Sequence, residues 1–372
     1  MSKYRKLYYS FLALIILLLI QPKGGTWFYA NYLRWLYLML LGFAIANLLT
    51  PLCIYLGHKL NILDKPDARK VHDTPVPRIG GIVIYTAFLI TVVRNLQFTN
   101  EIIGITLGAT IIFLLGLRDD IKPVSATARI VFQLLAAITA IYFGVRTDIF
   151  PTAMPFHDVF DIILTLLWFI GILNAVNFLD GIDGLVTSFG IVCSSLFFLI
   201  ALPTEQKYLA WMCITLASVC MGFLPYNWNK AKIFLGDSGS TLIGFLLAGF
   251  AVFGTWADNN AAVAFSTPLL ILSIPIFDMI YTTISRFRNG SVKNVKEWLE
   301  YVGKDHFHHR LLTLGLNVKQ SVSFIVLLNL ILGLGALLIR SVGSNGSYVL
   351  LIQAFGIFSI IVILMLSGRT IE

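Results

Sequence analysis

The chain has 372 residues, 58% of them hydrophobic and only 12% charged, with a formal net charge of +8. A soluble domain carries about twice that charged fraction, so an ordinary water-soluble globule is excluded and a protein built into a membrane is indicated. The positive excess then belongs to loops facing anionic headgroups, and no nucleic-acid partner is expected.

In chain order, apolar stretches run at roughly 8–21, 33–57, 80–95, 101–117, 126–143, 159–176, 184–202, 207–224, 238–256, 261–282, 321–339 and 348–367. Each approaches the ~20 residues that a helix needs to cross a bilayer. They predict an all-α, polytopic transmembrane helical bundle of about 11–12 spans, with residues 1–372 forming one integral domain. The first stretch is irregular: Lys3, Arg5 and Lys6 precede a short apolar run, as in a signal peptide. No small-residue cleavage site follows in Gln21-Pro-Lys-Gly-Gly25, so the stretch is kept as a helix. Cys53, Cys193, Cys213 and Cys220 lie inside apolar runs without Cys/His pairing, which implies neither a disulfide framework nor a zinc site.

Basic residues set the orientation. With the N-terminus in the cytoplasm and strict alternation, 20 of the 27 Lys and Arg residues fall inside and 6 outside, with Arg129 at a helix start. That is the positive-inside bias. The same alternation puts loops 58–79, 118–125, 177–183, 225–237 and 283–320 on one face. With them go Asp119, Asp120, Asp180, Asp183, Asp237 and Asp305. Unrelated solvated turns would scatter over both faces, and acids at the edge of a hydrocarbon slab mark functional sites.

The polar clusters carry the chemistry. Lys65 to Gly81 mixes turn-formers with basic groups, so Lys70, His72 and Arg78 either grip a lipid phosphate or merely follow the positive-inside bias. In Arg118-Asp119-Asp120 the adjacent carboxylates repel and retain a proton or a cation. Arg129 then adds an anion handle, although the trio also reads as an acidic turn closing a helix. Asn174, Asn177, Asp180 and Asp183 step by three. On a continuing helix they would share one face and offer hard oxygens to Mg2+; a polar interhelical turn is the other reading. Gly236-Asp237-Ser-Gly239-Ser240 precedes a helix, as a phosphate cradle would. Asp237 suits a bridging metal there, or Asp237 or Ser238 simply caps the helix. In Asp305-His306-Phe-His308-His309-Arg310 the absence of cysteine favours sugar or phosphate contacts over zinc, with a solvated basic loop as the alternative. There is no Walker A loop and no GxGxxG after a strand. The sum suggests a Mg2+-bridged diphosphate and an anionic lipid acceptor.

Taken together, these motifs resemble those of the polyprenyl-phosphate N-acetylhexosamine-1-phosphate transferases. The matching residues are Asp119-Asp120, Asn174-x-x-Asn177-x-x-Asp180-Gly-x-Asp183-Gly-Leu185, Phe234-x-Gly-Asp237-x-Gly-Ser240, His308-His309-Arg310 and Pro75-x-Pro77-Arg78-x-Gly80-Gly81, within about 58–320. The resemblance implies transfer of a sugar 1-phosphate from a UDP-sugar to undecaprenyl phosphate with release of UMP. It implies a Mg2+ cofactor, with Mn2+ as substitute, in a bacterial inner membrane with the site on the cytoplasmic face. The expected place is the first lipid-linked step of a cell-envelope polysaccharide such as lipopolysaccharide or teichoic acid. A homodimer is compatible with the family. By resemblance, Asp119 and Asp120 are the catalytic carboxylates, and Asp237 and Asn177 the metal ligands. Phe234, Gly181, Asp180, Asp183 and Asn174 serve the nucleotide, and Arg129 a phosphate, joined by Lys70, His72 and Arg78 toward the lipid. His306, His308, His309 and Arg310 form the sugar-selecting loop. That loop resembles the N-acetylglucosamine-using branch more than the muramyl-pentapeptide branch, which remains an alternative. The extra segment 8–21 departs from the family. A transporter or flippase is the competing class, but such proteins carry acids near the bilayer midplane and here they sit at span ends.

Overall fold

A computed structural model describes residues 3–20, 24–66, 74–257, 261–294, 297–298, 301, 303, 305–339 and 344–367. Every apolar stretch is helical: α1 (Lys3–Ile20), α2 (Gly24–Ala30), α3 (Arg34–Lys59), α4 (Gly81–Asn95), α5 (Asn100–Ile121), α6 (Ala126–Tyr142), α7 (His157–Leu179), α8 (Leu185–Ala201), α9 (Lys207–Asn227), α10 (Asp237–Phe253), α11 (Ala261–Ile271), α12 (Ser273–Arg288), the short α13 (Phe307–Thr313), α14 (Val318–Ile339) and α15 (Ser344–Ser367). Among the described residues the only sheet is a two-residue antiparallel pair, β1 (Leu63–Asp64) against β2 (Val76–Pro77). By length and composition, α3, α5, α7, α9 and α14 each suffice to cross a membrane. Shorter apolar helices, among them α4, α6, α8 and α10, fill the bundle around them.

The stretch 261–282 differs from its expected single span. It is broken at Leu272, where α11 and α12 meet at 81°. Pro275 explains the break: it has no N–H to offer the Ile271 carbonyl four residues back, and its ring would collide with that carbonyl. The freed Ile271 oxygen instead accepts from Cys193 Sγ at 3.2 Å, so the buried break is satisfied from α8.

Polar contacts inside the bundle tie α1 to it. Tyr9 Oη and Tyr226 Oη are 2.8 Å apart, Tyr8 Oη donates to Asn47 Oδ1, and Tyr37 Oη donates to Leu19 O. In a bilayer core such interhelical bonds hold helices together where lipid gives no hydrophobic drive.

Packing decides where the polar clusters go. α9 lies along α3 and α8, while α10 lies along both α5 and α7. The N-terminus of α10 therefore meets the C-terminal ends of α5 and α7. At the other end, Tyr208 Oη donates to Gln97 Oε1, and Gln206 exchanges hydrogen bonds with Thr255 O and N. Loops 96–99, 203–206 and 254–257 thus share the end away from the carboxylates.

The four native cysteines are buried, which gives labelling a quiet background. Lys122 and Glu205 are both exposed. With Lys122→Cys and Glu205→Cys expressed separately, a membrane-impermeant maleimide should label them from opposite sides of oriented vesicles. Labelling from the same side contradicts the end-to-end placement.

Candidate active site

Two extended segments build the floor of the site. Phe234 N donates to Pro77 O, and Gly80 N and Gly81 N donate to Phe234 O and Leu235 O, at 2.8–2.9 Å. The Pro75–Gly81 turn is therefore a backbone partner of the Phe234–Asp237 segment. Gly236 follows with φ +70°, and a Cβ there would lie 2.2 Å from Arg78 O and 2.6 Å from both Asp120 carboxylate oxygens. Only glycine fits that approach.

Asp120 occupies the start of α10. Its Oδ1 accepts from Asp237 N at 2.8 Å, and its Oδ2 from Ser238 N at 3.1 Å and Ser238 Oγ at 2.5 Å. Arg78 Nε stands 3.6 Å from Oδ1, and the Asp120 side chain is fully buried. A carboxylate lent by α5 thus serves as the cap that α10 lacks in its own sequence, where both hydrogen bonding and the helix dipole favour an anion. Gly239 N and Ser240 N are also used, by Gly236 O. The expected phosphate cradle is corrected accordingly: the first N–H groups of α10 are already taken.

Asp119, one residue earlier, points elsewhere. Its Oδ1 accepts from Val124 N and its Oδ2 meets Arg129 Nη2 at 2.7 Å. Its carboxyl and that of Asp237 are electrostatic neighbours. Arg78 Nη2 contacts the Asp119 carbonyl at 3.5 Å.

The stripe Asn174, Asn177, Asp180, Asp183 does not continue on one helix, since α7 stops at Leu179. Stepping by three fits a helix face or successive turn positions equally well, and Gly181 and Gly184 follow at once, Gly184 with φ +75°. Asn174 is engaged with Gln133 of α6 through Nδ2 to Oε1 at 2.9 Å and the return bond at 3.3 Å. Asn177 Oδ1 accepts from Ser240 Oγ at 2.7 Å, linking α7 to α10. Asp183 Oδ2 accepts from Ala231 N at 2.9 Å and latches the loop before Phe234, which is half-buried. Asp180 lies among the acids: burial, then Asp237, Asp120 and Asp183, push its carboxyl up to about 8. The acids separated in sequence are therefore neighbours, with Arg129 and Arg78 as the cations that partly offset the charge at Asp237. Among the described residues no three His, Cys, Asp or Glu side chains form a ready metal-ligand set. The hard-oxygen donors gathered here are Asp237, Asp180 and the amide of Asn177.

The histidine loop closes one side. His308 is buried, and neither ring nitrogen has a hydrogen-bond partner. Burial first, then His309 and His306, holds its imidazole well below the ordinary histidine range. It rests on Gly181, where a Cβ would come 2.0 Å from Nε2. Arg310 is buried and His309 half-buried beside it. His306 has both nitrogens engaged, Nδ1 with Asp278 and Nε2 with Arg286. Lys70 and His72 lie outside the described residues. Asp278 and Arg286 escape the motif-based reading, although a lone acid within an apolar run is the signal that finds Asp278.

Residues 102–255 match the family model described as Glycosyl transferase family 4. A probable undecaprenyl-phosphate N-acetylglucosaminyl 1-phosphate transferase of Bacillus subtilis is 30% identical over 301 residues, covering 79% of this chain and 82% of that protein. A decaprenyl-phosphate N-acetylglucosaminephosphotransferase of Mycobacterium leprae is 28% identical over 314 residues, covering 76% and 77%. A phospho-N-acetylmuramoyl-pentapeptide-transferase of Bacillus mycoides is similar over a shorter stretch, 32% identical across 56% of this chain and 72% of that protein.

The acid cluster has a measurable consequence. The folded chain keeps the Asp180 proton to about pH 8, whereas the unfolded chain gives it up near 3.8. The folded state therefore binds more protons across that window, and stability falls as pH rises through it. In chelator, the thermal midpoint in detergent should drop between about pH 5 and pH 8.5, and Asp180→Asn should flatten the drop. A midpoint that rises over this range, or an unchanged slope in the variant, contradicts the arrangement.

Proposed function

This chain belongs to the polyprenyl-phosphate N-acetylglucosamine-1-phosphate transferase family, and from that premise we propose that it transfers N-acetylglucosamine 1-phosphate from UDP-N-acetylglucosamine to undecaprenyl phosphate and releases UMP. The observation that carries this reading is the meeting of Asp119, Asp180 and Asp237 with Arg78 and Arg129 around the capped start of α10. Mixed carboxylates and guanidiniums at the end of a membrane bundle suit a diphosphate donor and a lipid phosphate acceptor. The basic-residue bias of the loops supports a cytoplasmic position for the site in a bacterial inner membrane.

The donor set fits Mg2+. The mutual repulsion at Asp180 is left uncompensated by the nearby arginines, and the gathered donors are hard oxygens. Mg2+ keeps several waters and takes one or two carboxylates plus substrate phosphates, so three protein acids are not needed. Asp237, with Asn177 beside it, is the pair assigned to hold it. When bound, the ion neutralises charge on the diphosphate and on departing UMP.

The chain's own groups divide the remaining work. Arg129 and Arg78 draw the phosphates in, Arg129 with its side chain 41% exposed. Asp120 is held wholly inside by the first amides of α10, whereas Asp119 Oδ2 lies on the part-exposed Arg129 that is assigned to a phosphate, which favours Asp119 as the acting carboxylate. A lipid-phosphate oxygen attacks the sugar-linked phosphorus, the bond from that phosphorus to the bridging oxygen breaks, and UMP leaves with the electron pair. A proton still on the acceptor passes to Asp119. Nothing in this sequence of events requires a covalent phosphosugar on an aspartate.

Purified protein should release UMP from UDP-N-acetylglucosamine only with both undecaprenyl phosphate and Mg2+, and less readily from UDP-N-acetylmuramoyl-pentapeptide. Asp237→Ala should lower the rate by at least ~10²-fold. Near-normal turnover in that variant, or turnover without Mg2+ or Mn2+, refutes the metal role; preference for the pentapeptide donor refutes the substrate.

A further inference from the structure

The start of α13 is tied down by a chain of four side chains that the transfer chemistry does not use. Arg286, buried near the end of α12, forks onto Asp305, with Nε to Oδ2 and Nη2 to Oδ1 both at 2.7 Å. The same Nη2 reaches His306 Nε2 at 3.1 Å. His306 Nδ1 lies 2.7 Å from Asp278 Oδ2, while Asp278 Oδ1 accepts from Phe307 N at 2.8 Å, the first residue of α13. A guanidinium only donates, so Nε2 must accept and the ring proton sits on Nδ1, donated to Asp278. Asp278, Arg286 and His306 are all buried. Phe178, next to Asn177, packs on His306 at a tilt of 37° with centroids 5.6 Å apart, and His306 and His308 are parallel at 5.9 Å. Every polar atom of the His306 ring is thus committed inward, while His308 keeps both nitrogens free against Gly181.

We propose that Asp278 and Arg286 are positioning residues, which grip His306 as a strut at the start of α13 and so aim His308 at the sugar-phosphate part of the donor, with His306 itself never touching substrate. This rests on the transferase reading above. It splits the histidine loop into a structural member and a contacting member, a division its residue pattern does not reveal. Removing one partner leaves the others buried with an unmatched charge or donor. The loop start would shift, and a displacement near 1 Å at a reacting centre lowers rates by as much as ~10²-fold.

The test uses full-length protein in detergent with Asp278→Asn, Arg286→Lys, His306→Asn and the Asp278→Asn/His306→Asn pair. Each is read by UMP release against UDP-N-acetylglucosamine and UDP-N-acetylgalactosamine, by KM for the lipid, and by hydrogen exchange of amides 305–312. The expected result is a roughly ten- to hundredfold loss in kcat/KM for the donor, the same factor for both sugars, and a lipid KM unchanged within about twofold. Exchange should quicken across 305–312, and the pair should lose no more than the worse single variant. Losses that multiply in the pair, or a changed sugar preference in His306→Asn, place His306 on the substrate and overturn the proposal. Quickened exchange with full activity overturns it as well. Should Asp278→Asn fail to fold, Arg286→Lys keeps the charge but loses the fork and carries the same comparison. Wild-type protein inactive on both sugars refutes the transferase reading, whereas exchange at 305–312 still reports whether the strut exists.

Discussion

A helix that begins with an aspartate and borrows its cap from another helix is the constraint on which this structure turns. The amide groups of Asp237 and Ser238 need an acceptor, and Asp120, buried on α5, supplies two oxygens. Leaving such groups unmatched costs about 1–3 kcal/mol each. The cap also decides which way the Asp237 side chain can turn, since its backbone is fixed from one side while Asp119 and the arginines face it from another. Gly236 makes the approach possible and the Pro77–Gly81 turn holds it in register. Structure and chemistry are coupled at one point: the carboxylate that builds the site is not the carboxylate best placed to act in it.

The same coupling accounts for the charge distribution. Few ionisable residues are spent in the hydrocarbon region, and those that are occur in satisfied groups. Asp278 has His306 and a backbone N–H, and Arg286 has Asp305. The broken span between α11 and α12 has no acid at its break, where Cys193 serves the free carbonyl instead. A transporter would place its ionisable groups at such a break; here they gather at the ends of α5, α7 and α10. Among the described residues, the acids around Asp237 are left facing one another, which is what pushes Asp180 up.

Much of this was legible beforehand, for identifiable reasons. Apolar spans declare themselves because the bilayer imposes length and polarity locally, and all twelve stretches proved helical. The polar clusters stood out against that background, and basic-residue bias placed them on one face before any packing was known. What the residues concealed was long-range pairing. The Asp120 cap joins positions 117 residues apart, and no local pattern separates a capping aspartate from a catalytic neighbour. The end of α7 at Leu179 was hidden because polar residues three apart suit a helix and a turn alike. The break at Leu272 could have been read from Pro275. His306 and His308 look equivalent until their partners are seen.

The most direct measurement is a double-mutant cycle on the cap, with Asp120→Asn, Ser238→Ala and the pair compared by thermal unfolding in detergent. The expected result is a clear coupling, the pair being less destabilised than the two single changes added together, because both remove the same bond. Strict additivity would mean that Asp120 does not hold the start of α10, and the placement of Asp237 described here would lose its cause.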